Sequence, residues 1–230
     1  VSRGVLLVFA KQPSPGAVKT RMCPPFSPEQ AAELYARLLA DVLEASAGFA
    51  PRLGLEPLLA VHPASACAAL ARSAPPAFAV RRQRGASLGA RMGWAVREAA
   101  AGGAERILLR GSDSPLLDAA AVAAVLRGLD QVDLAVCADR DGGYGLIGLR
   151  RCAPELFEHP MSTPNVLEQT LARARAAGLR AARVGESFDL DTAGDLAWLA
   201  RARGPAAGQL CPRTLAFLDS EDLWRLAGLG

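Results

Sequence analysis

Val5-Leu-Leu-Val-Phe-Ala10 runs without a break into Lys11-Gln-Pro-Ser-Pro-Gly-Ala-Val-Lys19, followed by Thr20 and Arg21. Six consecutive apolar residues leave no polar face. The segment therefore reads as a strand buried on both sides, the pattern of a parallel sheet covered by helices. The loop after it holds both of the chain's lysines; every other one of the 26 basic residues is arginine. A chain that uses arginine wherever a solvated charge suffices keeps compact ammonium groups only here. Lys11, Gly16, Lys19 and Arg21 have the make-up of a phosphate cradle: glycine admits the backbone and the cations offset the charge. The competing reading is two lysines close together by chance on a solvated, exposed loop. The sequence is not a Walker loop, because G-x-x-x-x-G-K is absent.

Working outward, strand and helix patterns alternate. Ser27, Pro28 and Gln30 open a helix with a capping box, and Ala31, Leu34, Tyr35, Leu38, Val42 and Leu43 mark its buried face. Strands are expected over 58–62, 77–80, 106–110, 134–138, 144–149 and 181–184. Helices are expected over 88–101, over 119–129 behind an Asp118 cap, from Thr163-Pro164 to about 177, and from a Thr192 cap to about 203. Asp141-Gly-Gly between two strand patterns breaks the alternation and calls for one antiparallel strand. The expected fold is an α/β three-layer sandwich with a mostly parallel central sheet over residues 1–203. Gly204-Pro-Ala-Ala-Gly208 reads as a linker to a short helix over 221–226, giving a 204–230 appendage.

Composition narrows the classes. The formal charge of +3 and the dispersed arginines provide no basic stripe, so nucleic acid is not an expected partner. No apolar stretch reaches the ~20 residues of a bilayer span, and no signal-peptide layout is present. Five scattered cysteines and two histidines make a zinc cluster a poor fit and reduced cytoplasmic thiols the default. His62 and His159 are expected to be incidental. A metal would be held by oxygen ligands.

In an open α/β sheet, ligands bind beyond the carboxyl ends of the strands, and four segments fall there. The lysine loop is the first. Asp113, in Gly111-Ser112-Asp-Ser-Pro115, either coordinates Mg²⁺ or Mn²⁺ or caps its own turn. Asp189-Leu-Asp191 carries two carboxylates on one side of an extended segment, with no lysine or arginine nearby in sequence, and a divalent ion would relieve their repulsion. Thr192 and Asp195 are expected to cap a helix. Asp141-Gly-Gly143-Tyr144 is a hairpin turn in which Asp141 would also accept a proton or a hydroxyl hydrogen bond. Gln83-Arg-Gly85 either contacts a base or sugar or is a connector, and the amides of Ser162-Thr163-Pro164 would face an anion at a helix start.

Taken together, Phe9-Ala-Lys-x-Pro-x-Pro-Gly-x-Val-Lys-Thr-Arg21, Gln83-Arg-Gly-x-x-Leu-Gly-x-Arg-Met92, Gly111-Ser-Asp-Ser-Pro115, Asp141-Gly-Gly-Tyr144, Ser162-Thr-Pro-x-Val166 and Asp189-x-Asp-Thr-x-x-Asp-Leu196 resemble one bacterial group. It is the radical-SAM/selenodomain-associated transferases, also labelled arsenosugar-biosynthesis-type glycosyltransferases, and the resemblance covers roughly residues 4–200. The resemblance implies the nucleotide-diphospho-sugar transferase (GT-A) fold and a metal-dependent glycosyltransferase. Its donor would be a nucleotide-sugar and its acceptor a small molecule, with homo-oligomer formation left open.

Under it, Lys11, Gly16, Lys19, Arg21, Gln83, Gly85 and Ser112 bind the nucleotide, and Asp113, Asp189 and Asp191 hold Mg²⁺ or Mn²⁺. Asp141 and Lys19 are catalytic, and Gly143, Tyr144, Ser162 and Thr163 face the acceptor. The Lys-Thr-Arg loop and the Asp113 turn are also similar to phospholactate guanylyltransferases, and Asp191-Thr-x-x-Asp-Leu196 to molybdenum-cofactor nucleotidyltransferases. Nucleotidyl transfer to a phosphorylated small molecule is therefore the alternative, and a non-catalytic nucleotide-binding protein is a third reading. The chain departs from the group at Gly145, where a second aromatic is usual, and at Arg140, where an acidic residue is common.

Overall fold

The computed structural model describes residues 3–161 and 163–229. Seven strands form one sheet: β1 (Gly4–Lys11), β2 (Leu55–His62), β3 (Ala79–Arg82), β4 (Arg106–Gly111), β5 (Leu134–Asp139), β6 (Tyr144–Leu149) and β7 (Ala181–Ser187). Their order across the sheet is β3-β2-β1-β4-β6-β5-β7, and only β6 runs antiparallel to its neighbours. The Asp141-Gly-Gly turn reverses the chain into β6, as its composition requires. Between the strands lie α1 (Pro28–Phe49), α2 (Cys67–Ser73), α3 (Leu88–Ala101), α4 (Ala119–Leu129) and α5 (Val166–Ala176), and α6 (Leu196–Arg201) follows β7. Three further helices close the chain: α7 (Pro205–Leu210), α8 (Pro212–Ser220) and α9 (Leu223–Leu226).

β1 shows why its sequence has no polar face. Val5 and Leu7 pack on the side covered by α3 and α5, whereas Leu6 and Val8 pack on the side covered by α1 and α4. Three layers follow, with a core on each face of the sheet. The caps form where expected. Ser27 and Gln30 bond reciprocally, Asp118 accepts from the Ala121 amide, and Thr192 and Asp195 cap the turn that leads into α6.

The C-terminal segment differs from the expected linker. Residues 205–210 and 212–220 are helical, and Cys211, Leu215, Leu218 and Leu223 join the core beside α1. Pro205 and Pro212 each sit in a first helical turn, where proline's missing N–H costs nothing. The alanine- and glycine-rich stretch thus packs closely instead of spanning a gap. The α2 helix is a second element the sequence pattern did not reveal.

Candidate active site

The strand ends of β1, β4 and β6 open into a cleft of about 770 Å³, within the range of small-molecule sites. Lys11, Lys19, Arg21, Gln83, Ser112, Asp113, Asp141, Gly143, Tyr144, Thr163, Asp189 and Asp191 all line it. Twelve of the expected site residues, from segments far apart in sequence, therefore share one space. Gly16 and Gly85 do not line it. Gly85 instead sits where a Cβ would meet the backbone of Ala90 and Arg91 at 2.8 Å, so its role is the close approach to α3. Ser162 lies outside the described residues.

Lys19 is the centre of the site, and it is not on the surface. Its side chain is 3% exposed, and its ammonium is paired with Asp113 and, at 3.0 Å, with Asp191. The loop is largely exposed, as expected, but its Lys19 side chain is not: Val18 and Met22, on either side, are drawn into the core and carry the lysine inward. Lys19 also has a left-handed backbone (φ 48°), a conformation that costs a side chain energy and is held by its surroundings. Burial alone would lower its pKa, but the charges of Asp113 and Asp191 more than offset that and raise it. The view of Asp189 and Asp191 as anions without a nearby cation is corrected, since Lys19 and Arg21, the latter at 3.4 Å, both reach Asp191.

The two carboxylates of that segment also part company. Asp191 faces the cations, whereas Asp189 turns inward and accepts from the Ser114 hydroxyl. Burial, and then the charges of Asp113 and Asp139, push the Asp189 pKa upward. Asp139 accepts from the Ser187 hydroxyl at 3.0 Å and is itself raised, burial being the main cause. Gly145 lies between these hydroxyls: a Cβ there would come within 2.6 Å of Ser187 Oγ and would also clash with Ser114 Oγ. That crowding explains why this chain has glycine at 145.

Behind the carboxylates, the fully buried Arg110 donates to Ser46 Oγ at 2.8 Å and to the Ser114 carbonyl at 3.0 Å, bracing the Asp113 loop. Next to Asp113, the buried Tyr35 shares a 2.8 Å hydrogen bond with Ser112 and accepts from the Lys11 amide at 3.0 Å. Burial, and then Asp113, push its phenol up to about 12. Gln83 donates from one amide nitrogen to the carbonyls of Ala10 (3.2 Å) and Ala60 (2.8 Å), locking the ends of β1 and β2. Asp141 holds the Gly143 amide at 2.9 Å, so it serves its own turn and still lines the cleft. His159 shares a 3.0 Å hydrogen bond with Thr170, a structural contact.

Sequence reading missed Tyr35, Arg91, Ser114 and Asp139. Tyr35 sits at a helical core position and was assigned to packing alone. A phenol at the end of a buried face, beside a strand-end loop, was the available signal. Among the described residues, Arg91 Nε, Tyr144 Oη and Thr163 Oγ1 are buried without hydrogen-bond partners, and all three residues line the cleft. Clustered unmet polar atoms mark a place where a polar ligand completes the bonding. Arg91 and Lys11 also act electrostatically on His62, lowering its pKa behind the effect of burial, so this end of the cleft is positive.

The donor set fits a hard divalent cation. Asp113 and Asp191 oxygens converge on one point, now held by an ammonium, and Asp189, whose ionisation burial and the neighbouring charges disfavour, lies beside them where a cation would favour its charged form. Among the described residues, no group of three metal-ligating side chains is already gathered around a single point.

The fold is that of the nucleotide-diphospho-sugar transferases. The crystal structure of a protein from Desulfovibrio desulfuricans G20, assigned as a nucleotide-diphospho-sugar transferase, has a TM-score of 0.87 to this chain at 30% identity, covering 99% of this chain and 98% of that one. A cytidylyltransferase from Leptospira borgpetersenii serovar Hardjo-bovis shares the fold at a TM-score of 0.57 and 13% identity, over 98% and 94% of the two chains. The chain belongs to the bacterial family described as "Uncharacterized protein conserved in bacteria (DUF2064)", whose pattern matches residues 48–163. It is also 36% identical to the 3-phospho-D-glycerate guanylyltransferase of Phenylobacterium zucineum (strain HLK1), over 90% of this chain and 93% of that protein. The chain is thus a transferase. Among the described residues, no helix is long and apolar enough to cross a membrane.

Proposed function

We propose that this protein transfers a guanylyl group from GTP to a phosphate oxygen of a small phosphorylated acid and releases pyrophosphate. The observation that carries this reading is the 36% identity, over 90% of the chain, to a 3-phospho-D-glycerate guanylyltransferase. It favours nucleotidyl transfer over the glycosyl transfer that the motif resemblance puts first.

In this reaction an oxygen of the acceptor phosphate attacks the α-phosphorus of GTP. The bond from that phosphorus to the oxygen bridging toward the β-phosphate breaks, and pyrophosphate leaves with the electron pair. A phosphate oxygen is already ionised at neutral pH, so the attack needs no general base. Asp141 is then assigned to orienting the acceptor. Lys19 and Arg21, with Lys11 on the rim, supply positive charge where the leaving pyrophosphate gains negative charge. Lys11, Gln83 and Ser112 are assigned to the nucleotide, and Gly143, Tyr144 and Thr163 to the acceptor. Asp113, Asp189 and Asp191 would hold Mg²⁺ or Mn²⁺, which when bound neutralises triphosphate charge.

Glycosyl transfer from a nucleotide-sugar is the second reading, favoured by the assignment of the Desulfovibrio structure at 30% identity over 99% of the chain. It would need Asp141 as a base, because a hydroxyl acceptor must lose its proton. The test is to incubate the protein with Mg²⁺ and either GTP plus 3-phospho-D-glycerate or a panel of nucleotide-sugars. Pyrophosphate release with the first mixture is the expected result. Nucleoside diphosphate from the second mixture, with no pyrophosphate from the first, would replace guanylyl transfer by glycosyl transfer.

A further inference from the structure

Trp198 is 42% exposed, while its helix α6 buries Leu196 and Leu199. An indole contributes little to a core from such a position, so its contacts are the guide to its role. Two guanidinium groups cover it. Arg140 lies 3.7 Å from the ring centroid and Arg201 lies 5.0 Å away. Arg201 belongs to the last turn of the same helix, so its contact is local. Arg140 belongs to a different part of the chain, the turn between Asp139 and Asp141 at the tip of the β5–β6 hairpin. Trp198 stands on the helix fed by the Asp189–Asp191 loop through the Thr192–Asp195 cap. The stack therefore joins the loop bearing Asp141 to the loop bearing the paired carboxylates, and both loops line the cleft.

Other contacts also fasten the hairpin, and at its base Asp139 accepts from Ser187 Oγ at 3.0 Å. The Leu167 amide donates to the Gly142 carbonyl at 2.9 Å, tying the tip to the start of α5. Gly142 (φ 88°) is pressed against Pro164 there, with no space for a Cβ. Within the turn, Asp141 and Asp139 accept from the backbone amides of Gly143 and Asp141, which shapes the turn but does not fix its direction. Among the described residues, α5 thus holds the tip on one flank, Ser187 holds its base, and Arg140 links it to Trp198.

We propose that the Arg140–Trp198 stack is a strut outside the cleft that sets where the Asp141 turn stands relative to the Asp189–Asp191 loop. Both are positioning residues. A cation over an indole is favoured by the ring quadrupole, and arginine also stacks its planar fork on the ring. Small displacements of an orienting group are costly to transfer chemistry even when nothing in contact with the substrate has changed.

The inference rests on the transfer reaction proposed above for its kinetic readout and stands apart from it in a second readout. Arg140→Ala, Trp198→Ala, the double variant and Arg140→Lys are compared with wild type by hydrogen exchange of the 138–145 segment and by steady-state kinetics. Either alanine change is expected to speed exchange of the hairpin amides and to raise the acceptor KM about tenfold, with kcat within about twofold and an unchanged melting temperature. The double variant is expected to be no worse than either single one, since both remove the same contact. Arg140→Lys, which keeps the cation but loses the planar fork, is expected to recover only part of the loss. Unchanged exchange, an unchanged KM, or additive effects in the double variant would each overturn the strut. If wild type releases no pyrophosphate, the reaction assignment fails, while the exchange comparison still decides whether the strut holds the hairpin.

Discussion

Two acidic sites in this protein, one buried and one at the cleft, carry similar groups and have opposite characters. Asp41, on α1, is 1% exposed and accepts from the Thr214 amide and hydroxyl, both at 2.8 Å, and from the Arg213 amide at 3.2 Å and its guanidinium at 3.3 Å. Its lone pairs are satisfied, and they fix the start of α8 against α1. Asp189 accepts from one side chain, Ser114, and faces the charges of Asp113 and Asp139. A fully bonded buried carboxylate stabilises a fold, whereas one short of donors among other anions is a site kept ready for positive charge. Lys19 supplies part of that charge, and the open cleft admits the rest.

Mutation should separate the two sites. The largest effect is expected at Asp113→Asn, which keeps the shape and removes one charge facing Lys19. Transfer activity should fall by roughly 10³-fold, about 4 kcal/mol of transition-state stabilisation, with folding retained. Pyrophosphate release measured beside a melting curve checks both halves. A variant that keeps wild-type activity would remove Asp113 from the chemistry.

Asp41→Ala is expected to behave in the opposite way. Loss of the shared acceptor leaves the Thr214 and Arg213 donors without it, at a cost of about 2–4 kcal/mol in urea unfolding. The folded fraction should turn over at the wild-type rate. If activity drops and stability holds, the contrast between the sites collapses.

Lys19→Ala sharpens the comparison with a smaller effect. Nucleotide affinity measured by calorimetry should weaken by about 1.5–3 kcal/mol, the range for a hydrogen bond to a charged group. Because Lys19 is buried between two carboxylates, the variant should also unfold earlier in denaturant, which an exposed lysine would not cause. Equal nucleotide affinity in variant and wild type would make Lys19 a purely structural ion pair.

Much of the architecture was legible because it rests on neighbours in sequence. The capping boxes at Ser27–Gln30 and Thr192–Asp195 span one helical turn, and the unbroken apolar run of β1 states its burial on both faces. The antiparallel β6 could be read from the Asp141-Gly-Gly turn for the same reason. The 205–220 region was misread because alanine, glycine and proline favour both a linker and a tightly packed pair of short helices. Only the presence of α1 beside them chooses between the two. The burial of the Lys19 side chain within an otherwise exposed loop is hidden from the sequence in a similar way. A Gly/Pro loop has no periodicity to reveal that Val18 and Met22 are anchored in the core.

By itself, then, the sequence determined the layered α/β fold, the antiparallel hairpin, and which loops collect at the strand ends. These depend on hydrophobic periodicity, turn chemistry and caps, all encoded within a few residues. Only the tertiary structure decided how the charges pair. Lys19 and Asp191 are 172 positions apart and meet at 3.0 Å, and Arg140 reaches Trp198 from another loop altogether. No local pattern records such meetings, because the sheet order and the packing of the loops, not any single segment, bring the two partners together.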